Sequence, residues 1–212
     1  MKQFRLWLIA TGVLVLIGGG VFGWWALDYR WRPHTIKTHQ AEIAAILEHS
    51  GYVSPRLTGP KLYMISFRSC PDCIRFEDQA FGRLHAAGVD TRVIMIARGE
   101  YNGVLKSTAP ERATVAELWL NRSWKLYEDW TALKPPTAWT APDIPPADGD
   151  LGRTAVVEAG RKAVADLRPL LKDNGIDFAY PTLIWWDKAG VMRGCACEKA
   201  QTYGNVMREL GA

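Results

Sequence analysis

The apolar residues of this chain form one long run near the N-terminus and several shorter periodic segments after it. Residues 6–27 contain no charged side chain over 22 positions, which is long enough for a helix to cross the hydrocarbon core of a bilayer. Lys2 and Arg5 precede the run, and tryptophans lie close to both of its ends, as is typical of interfacial anchors. The pattern predicts one transmembrane helix within residues 1–30.

A cleaved signal peptide is the alternative interpretation of this run. Residues 21–23 (Val-Phe-Gly) are a passable cleavage site with small residues. The apolar stretch continues past that site and is longer than the core of an ordinary signal peptide. We therefore expect the segment to be retained as a membrane anchor.

The segments after the anchor alternate between strand-like and helix-like patterns. Short apolar runs rich in β-branched residues predict strands over residues 61–67, 91–97 and 182–186, with a short edge strand over 191–193. Helical spacing and stop signals predict helices over residues 71–87, 110–130, 154–167 (with an interruption near Pro169) and 198–210. Residues 133–149 contain five prolines and are predicted to be an extended loop.

A further amphipathic segment lies between the apolar run and the first strand. Ile36, Ile43, Ile46 and Leu47 share one helical face within residues 35–48. We predict three parts: an anchor over residues 1–30, a linker helix within 31–58, and an α/β domain over 59–212 with a helical insertion at about 105–175. The linker is too short to form a second domain that could mediate dimerisation. We therefore expect a monomer.

The four cysteines form two closely spaced pairs, Cys70/Cys73 and Cys195/Cys197. Disulfides that stabilise a fold usually close long loops, so pairs this close point to chemistry. Residues 70–73 read Cys-Pro-Asp-Cys at the junction of a predicted strand and helix. At a helix N-terminus Cys70 is favoured as a thiolate, the nucleophile of disulfide exchange, whereas Cys73 should be more buried one turn further on.

The segment Cys70-Pro71-Asp72-Cys73-Ile74-Arg75-Phe76-Glu77 resembles the active site of the Dsb thiol-disulfide oxidoreductases, whose DsbA members carry Cys-Pro-x-Cys-x-x-Phe-Glu. The helical insertion and the Tyr180-Pro181-Thr182 step are similar to the catalytic domain of the DsbC and DsbG isomerases. The resemblance implies a thioredoxin-like fold, in which helices flank a mixed central sheet. It also implies that Pro181 is a cis-proline packed against the Cys70–Cys73 disulfide.

The same resemblance implies a function. The expected activity is thiol-disulfide exchange with cysteine-containing client proteins, by a domain held on the periplasmic side of the inner membrane, with no cofactor and a redox partner that the sequence does not identify. Pro71, Asp72, Tyr180 and Gly194 would modulate the catalytic Cys70, Cys73 and Pro181. A carboxylate at Asp72 disfavours a neighbouring thiolate, which favours a reductase or isomerase-like role over strong oxidation.

The second pair, Cys195-Ala196-Cys197, is predicted to lie in the turn before the last helix, which faces the active-site disulfide in this fold. Three interpretations remain open for it. It is a second redox pair, labile because its ring is small; or it joins Cys70 and Cys73 in holding a soft metal ion; or it is two packed thiols. Metal content after purification without chelators distinguishes the second interpretation.

Composition narrows the other possibilities. Hydrophobic residues make up 48% of the chain and charged residues 23%, as expected of a folded protein. The net charge of +4 is mild and no Lys/Arg block occurs, so the sequence does not indicate nucleic-acid binding. The four histidines are scattered, so a cysteine protease is not indicated.

Overall fold

The computed structural model describes the backbone of residues 2–27 and 29–212, and the side chains of residue 7 and of residues 11–26 and 29–212. The chain divides into two compact units. The first unit ends at Arg32, and the second runs Pro33–Ala212.

The first unit contains helix α1 (Lys2–Leu27), followed by a 3-10 turn. The stretch Thr11–Trp31 is long and apolar enough to cross a membrane, and a signal sequence near an N-terminus would have the same character. The side chains of Lys2 and Arg5, which the sequence analysis assigned as a positive flank, lie outside the described residues.

The second unit is built on a mixed sheet. In chain order the strands are β1 (His34–Thr35), β2 (Lys61–Ser66), β3 (Asp90–Met95), β4 (Glu100–Tyr101), β5 (Val104–Leu105), β6 (Thr182–Trp186) and β7 (Met192–Ala196). Five of them form one sheet in the order β1-β7-β6-β2-β3, and β4 pairs with β5 in a separate hairpin. Within the large sheet β2 and β3 are parallel, and the other neighbours are antiparallel. A parallel pair joined by a helix and extended by an antiparallel hairpin is the thioredoxin-like arrangement, as predicted.

Helices cover this sheet and form the insertion between β3 and β6. They are α2 (Gln40–His49), α3 (Pro71–Phe76), α4 (Gly82–Ala86), α5 (Ala109–Asn121), α6 (Trp124–Ala132), α7 (Leu151–Lys172) and α8 (Tyr203–Leu210). A π-helical turn, Glu77–Phe81, joins α3 to α4, so residues 71–86 form one continuous helical segment. The chain leaves that segment at Gly88, whose φ of 78° is a conformation that glycine adopts without steric cost.

Helix α8 and the helical segment 71–86 pack together on one face of the sheet. The ring of Phe76 lies edge-on against Tyr203, with centroids 4.9 Å apart. On the strand beneath, the indole nitrogen of Trp185 donates a hydrogen bond to Glu209 of α8 at 3.2 Å. This face therefore carries the helix that begins at the first cysteine pair.

The single helix predicted over residues 110–130 is wrong, because the chain breaks it into α5 and α6. Arg122 adopts a left-handed conformation with φ of 51°, which ends α5. Ser123 then caps α6 by accepting a hydrogen bond from the amide of Leu126 at 3.2 Å. The apolar spacing continues across the break, so periodicity alone did not reveal it.

The helix predicted over residues 154–167 is longer than expected. Helix α7 begins at Leu151, where the Asp150 side chain caps it by accepting the amide hydrogen of Arg153 at 2.9 Å. Pro169 lies inside the helix and does not interrupt it. Proline removes one backbone donor, and the helix ends within a turn of that position.

The edge strand predicted over residues 191–193 is also corrected. Strand β7 extends to Ala196, and it lies inside the sheet between β6 and β1. The edge is β1, where His34 pairs with Gly194 and Thr35 with Arg193. Cys195 is therefore part of a strand, not of a turn.

Residues 33–58, which the sequence analysis divided off as part of a linker, lie in the second compact unit. They contribute β1 and α2 to it, and the side chains of Ile36, Ile43 and Leu47 are fully buried there. Burial of these three apolar side chains attaches the segment to the core. Helix α2 begins at Gln40 and not at residue 35, as the apolar spacing predicted. Residues 34–35 pair with β7 as a strand.

Candidate active site

Cys70 and Cys73 form a disulfide where β2 leads into α3, with Cα atoms 5.2 Å apart. Pro71 occupies the first turn of the helix, where its missing N–H costs nothing. The Sγ atom of Cys70 accepts a hydrogen bond from the amide of Cys73 at 3.1 Å. The expected difference in exposure is not seen, since Cys70 is 2% and Cys73 1% exposed.

The Tyr180–Pro181 bond is cis, in agreement with the resemblance, and immediately precedes β6. The segment is close to the first cysteine pair through Phe67. The carbonyl oxygen of Phe67 accepts the amide hydrogen of Cys70 at 3.1 Å. Its ring lies edge-on against Tyr180 with centroids 5.0 Å apart. Tyr180 is thus packed beside the turn that carries Cys70.

Asp72 does not stand as an isolated negative charge. Its Oδ1 lies 2.6 Å from the Nη2 of Arg75, one turn along the same helix, in a partly exposed ion pair. Arg75 also donates to the carbonyl oxygen of Glu198 at 3.3 Å. The like-charge effect that the sequence predicts for Asp72 on Cys70 is therefore partly offset by a cation.

Glu77 is one turn beyond Cys73, and it is not a fully solvated charge on the helix surface. The carboxyl group is partly buried near Tyr127 and Arg68. Burial raises the pKa of Glu77 to about 7, against the opposing influence of the Tyr127 hydroxyl and the Arg68 guanidinium. The sequence shows that Glu77 lies four residues after Cys73 and hence on the same side of the helix. The sequence does not show that α6 packs against Glu77 and buries it.

Arg68 was missed by the sequence analysis. Its side chain is buried beneath the active-site turn, and Nη2 donates to the carbonyl oxygens of Trp130 and Thr131 at 2.9 and 3.3 Å. These carbonyls belong to the end of α6 and lack helical partners. Arg68 thus connects the turn before Cys70 to the helical insertion. No motif distinguishes such an arginine, because its partners are backbone atoms 62 and 63 positions away.

The second pair also forms a disulfide, between Cys195 in β7 and Cys197 just beyond the strand, with Cα atoms 5.2 Å apart. Cys195 is 5% exposed and Cys197 is fully buried. The amide of Cys197 donates to the carbonyl oxygen of Pro181 at 2.8 Å. The structure therefore brings this pair next to the Pro181 segment.

Gly194 lies on the opposite face of the sheet from Cys195, because successive residues of a strand alternate in direction. A Cβ atom at Gly194 would lie 3.0 and 3.1 Å from the side chains of Ile176 and Ile36. Close packing against Ile36 and Ile176 accounts for glycine at this position. Gly194 can therefore influence the disulfides only through the backbone of β7.

The four cysteines do not form a metal site in this oxidised state. Within residues 2–27 and 29–212, no three Cys, His, Asp or Glu side chains are arranged to hold an ion. Each cysteine is bonded to its neighbour in sequence. The arrangement of the sulfur atoms is that of two separate disulfides.

A cavity of about 360 Å³ opens beside Tyr180. Its walls include four cationic side chains and one carboxylate: Arg98, Lys106, Arg161, Arg168 and Glu100. The guanidinium of Arg168 lies over the ring of Phe178 at 4.7 Å, and Phe178 in turn contacts Tyr180. No local sequence pattern indicates this basic cavity, because its residues come from four separate parts of the chain: the segment after β3, the β4–β5 hairpin with the residue after it, α7, and the segment before β6.

Comparison with known proteins gives similarities in structure only. No family model matches the chain, and no curated protein matches it. BcfH from Salmonella enterica Typhimurium is 13% identical with a TM-score of 0.48, over 99% of this chain and 89% of that one. MdbA, a thiol-disulfide oxidoreductase from Corynebacterium diphtheriae, is 14% identical with a TM-score of 0.33, over 64% of this chain and 86% of that one.

Proposed function

We propose that this protein catalyses thiol-disulfide exchange at Cys70 and Cys73 with cysteines of exported client proteins. The observation that carries the proposal is the Cys70–Cys73 disulfide at the start of the helical segment 71–86, with Sγ of Cys70 receiving the Cys73 amide hydrogen. In the reduced protein, that amide and the positive end of the helix stabilise a Cys70 thiolate. A thiolate at this position is the nucleophile that exchange requires.

The reducing direction proceeds in two displacements. The Cys70 thiolate attacks one sulfur of a client disulfide, forming a Cys70–client disulfide and releasing the other client sulfur as a thiolate. Cys73 then attacks Sγ of Cys70, restoring the Cys70–Cys73 disulfide and releasing the second client thiol. The client gains two electrons and two protons. Glu77, with its raised pKa and its position one turn from Cys73, would accept the proton that Cys73 loses.

The residues between the cysteines support the reducing direction of electron flow. A carboxylate stands at Asp72, and Arg75 offsets only part of its charge in a pair that is open to solvent. The reduced form is therefore stabilised less than it would be with a cation between the cysteines. This supports a reductase or isomerase-like role.

The basic cavity beside Tyr180 supplies a place for the client segment that flanks the reacting cysteine. Arg161 is paired with Glu158, which leaves Arg98, Lys106 and Arg168 against the single carboxylate of Glu100. This balance of charge favours an acidic side chain in that segment. The aromatic walls formed by Tyr180 and Tyr101 provide apolar contact area beside those charges. We infer that acidic client segments react faster than basic ones.

Helix α1 supports the proposed cellular location. The helix is long and apolar enough to serve as an export signal or an anchor. Because the apolar run extends beyond an ordinary signal-peptide core, we propose that it is retained as a single-pass anchor in the inner membrane, with Pro33–Ala212 on the periplasmic side. Client cysteines and disulfides are found in that compartment.

Exchange with a peptide disulfide tests this function. The full chain, solubilised in mild detergent, should accelerate the exchange between glutathione and a peptide with one internal disulfide, followed by mass spectrometry. The C70A/C73A variant should not exceed the uncatalysed rate. Equal rates for the wild type and this variant would contradict the proposal, whatever the state of Cys195 and Cys197.

A further inference from the structure

The Cys195–Cys197 disulfide takes no part in the exchange described above. We propose that it is an internal electron reserve, which exchanges electrons only with Cys70 and Cys73. This inference rests on the proposed function of the first pair. It assigns the second pair the task of allowing one protein molecule to reduce two client disulfides before it must be reduced again.

Two hydrogen bonds connect the C-terminal end of the second pair to the segments around the first pair. The amide of Cys197 donates to the carbonyl oxygen of Pro181, in the segment packed beside the Cys70 turn. The next residue, Glu198, accepts a hydrogen bond through its carbonyl oxygen from Arg75, two positions after Cys73. The chain at residues 197–198 is therefore tied both to the proline segment and to the active-site helix.

The direction of the side chains is also favourable. Cys195 lies on the same face of β7 as Arg193, whose Nη2 pairs with Glu209 of α8 at 2.9 Å. Helix α8 in turn contacts the active-site helix, since the Tyr203 hydroxyl donates to the carbonyl oxygen of Asp72 at 3.4 Å. Cys195 thus belongs to the face that the helix starting at Cys70 covers.

Both cysteine pairs are buried in the oxidised protein. Cys197 is fully buried and Cys195 is 5% exposed, and the corresponding values are 2% for Cys70 and 1% for Cys73. Because Cys195 lies on the face of the sheet that α8 and the active-site helix cover, its route to another sulfur atom runs within the protein. Cys70 and Cys73 are the other cysteines of the chain and therefore the partners with which the second pair would exchange electrons.

Stability gives little reason for this disulfide. It joins residues two positions apart, so it restricts the unfolded chain very little. Pairing of Cys195 with Leu183 already fixes the strand. A redox role accounts for a bond that constrains so little.

The electron transfer balances without another reagent. In the fully reduced protein, Cys70 and Cys73 reduce one client disulfide and become a disulfide themselves. A thiolate of Cys195 or Cys197 then attacks that disulfide, forming a mixed disulfide within the protein, and its partner thiol displaces the attacked cysteine. The Cys195–Cys197 disulfide forms, and the Cys70/Cys73 dithiol is restored for a second client. Four thiols become two disulfides, and each client disulfide gains two electrons and two protons.

The number of client disulfides that each protein molecule reduces tests whether the second pair is an electron reserve. The full chain is reduced with dithiothreitol, desalted, and mixed with an excess of the disulfide peptide used above. The wild type should release two peptide dithiols per protein, and the C195A/C197A variant one, a twofold difference. One equivalent from the wild type would overturn the reserve and leave the proposed function intact. No peptide dithiol from the wild type would contradict both.

A second measurement does not depend on folding of the C195A/C197A variant. Alkylation and peptide mapping follow the reduction of Cys195–Cys197 by a protein dithiol in the wild type and in the C70A/C73A variant. Reduction should be rapid in the wild type and at least tenfold slower in C70A/C73A, a difference of about 1.4 kcal/mol in activation free energy. Equal rates in the two proteins would overturn the proposal.

Discussion

The ring of Phe67 lies edge-on against the ring of Tyr180, with centroids 5.0 Å apart. Phe67 comes three residues before Cys70, and Tyr180 comes immediately before Pro181. This contact therefore joins the turn that carries the first cysteine to a segment more than 100 residues away in the chain. Tyr180 is also one wall of the basic cavity, so the contact joins that wall to the turn that leads into Cys70.

We predict that the two cysteines of the first pair behave differently when substituted. Cys73→Ser should accumulate mixed disulfides with client proteins or peptides, because no thiol at position 73 remains to release the Cys70–client bond. Cys70→Ser should accumulate none. Non-reducing electrophoresis with mass spectrometry measures both. Equal trapping by the two variants would show that the attacking and resolving roles are assigned incorrectly.

We predict that the residue between the cysteines sets the reduction potential. Asp72→His should make the Cys70/Cys73 couple more oxidising, by up to about 30 mV, because a cation there stabilises the reduced thiolate. Equilibration with glutathione measures the potential, and Asp78→Asn, on the exposed side of the same helical segment, is the control. A wild-type potential near about −120 mV, typical of a strong oxidant, would refute the reductase or isomerase-like role.

We predict a pH dependence of stability that comes from Glu77. The folded protein binds a proton at Glu77 more tightly than the unfolded chain does, since burial raises the pKa from 4.5 to about 7. The free energy of unfolding should therefore fall as the pH rises from about 4.5 to about 7, and should lose nothing more from this group above that range.

Thermal unfolding between pH 4.5 and 8 checks this prediction. Glu77→Gln should flatten the dependence, because the substituted side chain does not titrate. Glu158→Gln, the same substitution at an exposed position of α7 away from Glu77, should leave the slope unchanged. An unchanged slope in Glu77→Gln would mean that other groups cause it.

We predict that clients with acidic residues beside the reacting cysteine are favoured. Charge reversal by K106E/R168E should reduce the rate with an acidic peptide more than with a basic one, because both cations line the cavity beside Tyr180. Lys172→Glu, on an exposed position of α7 outside the cavity, should not change the ratio of the two rates. The preference should also weaken at high salt. A ratio unaffected by K106E/R168E would rule out the cavity as the client site.

We predict that the N-terminal helix remains attached after export. Intact-mass analysis of the membrane fraction should show the complete N-terminal segment, because the apolar run exceeds an ordinary signal-peptide core. A mature N-terminus near Trp24 would instead identify the run as a cleaved signal.

The sequence by itself determined the elements that depend on local signals. Strands β2, β3 and β6 were predicted to within two residues, because each is a short apolar run with a turn signal close by. The Cys70–Cys73 pair and its position at a helix start were readable because Pro71 and the residues after it are local helix signals.

Only the tertiary structure decided the features that depend on contacts between distant residues. Pairing of His34 and Thr35 with β7 moved Cys195 from a predicted turn into an internal strand. Packing of Glu77 against α6 converted an apparently solvated carboxylate into a group with a pKa of about 7. Periodicity and spacing describe a residue's neighbours in the chain, whereas burial and charge depend on which segments the fold brings against it. For this reason the sequence predicted a dithiol site, and the fold determined which carboxyl group, basic cavity and second disulfide surround it.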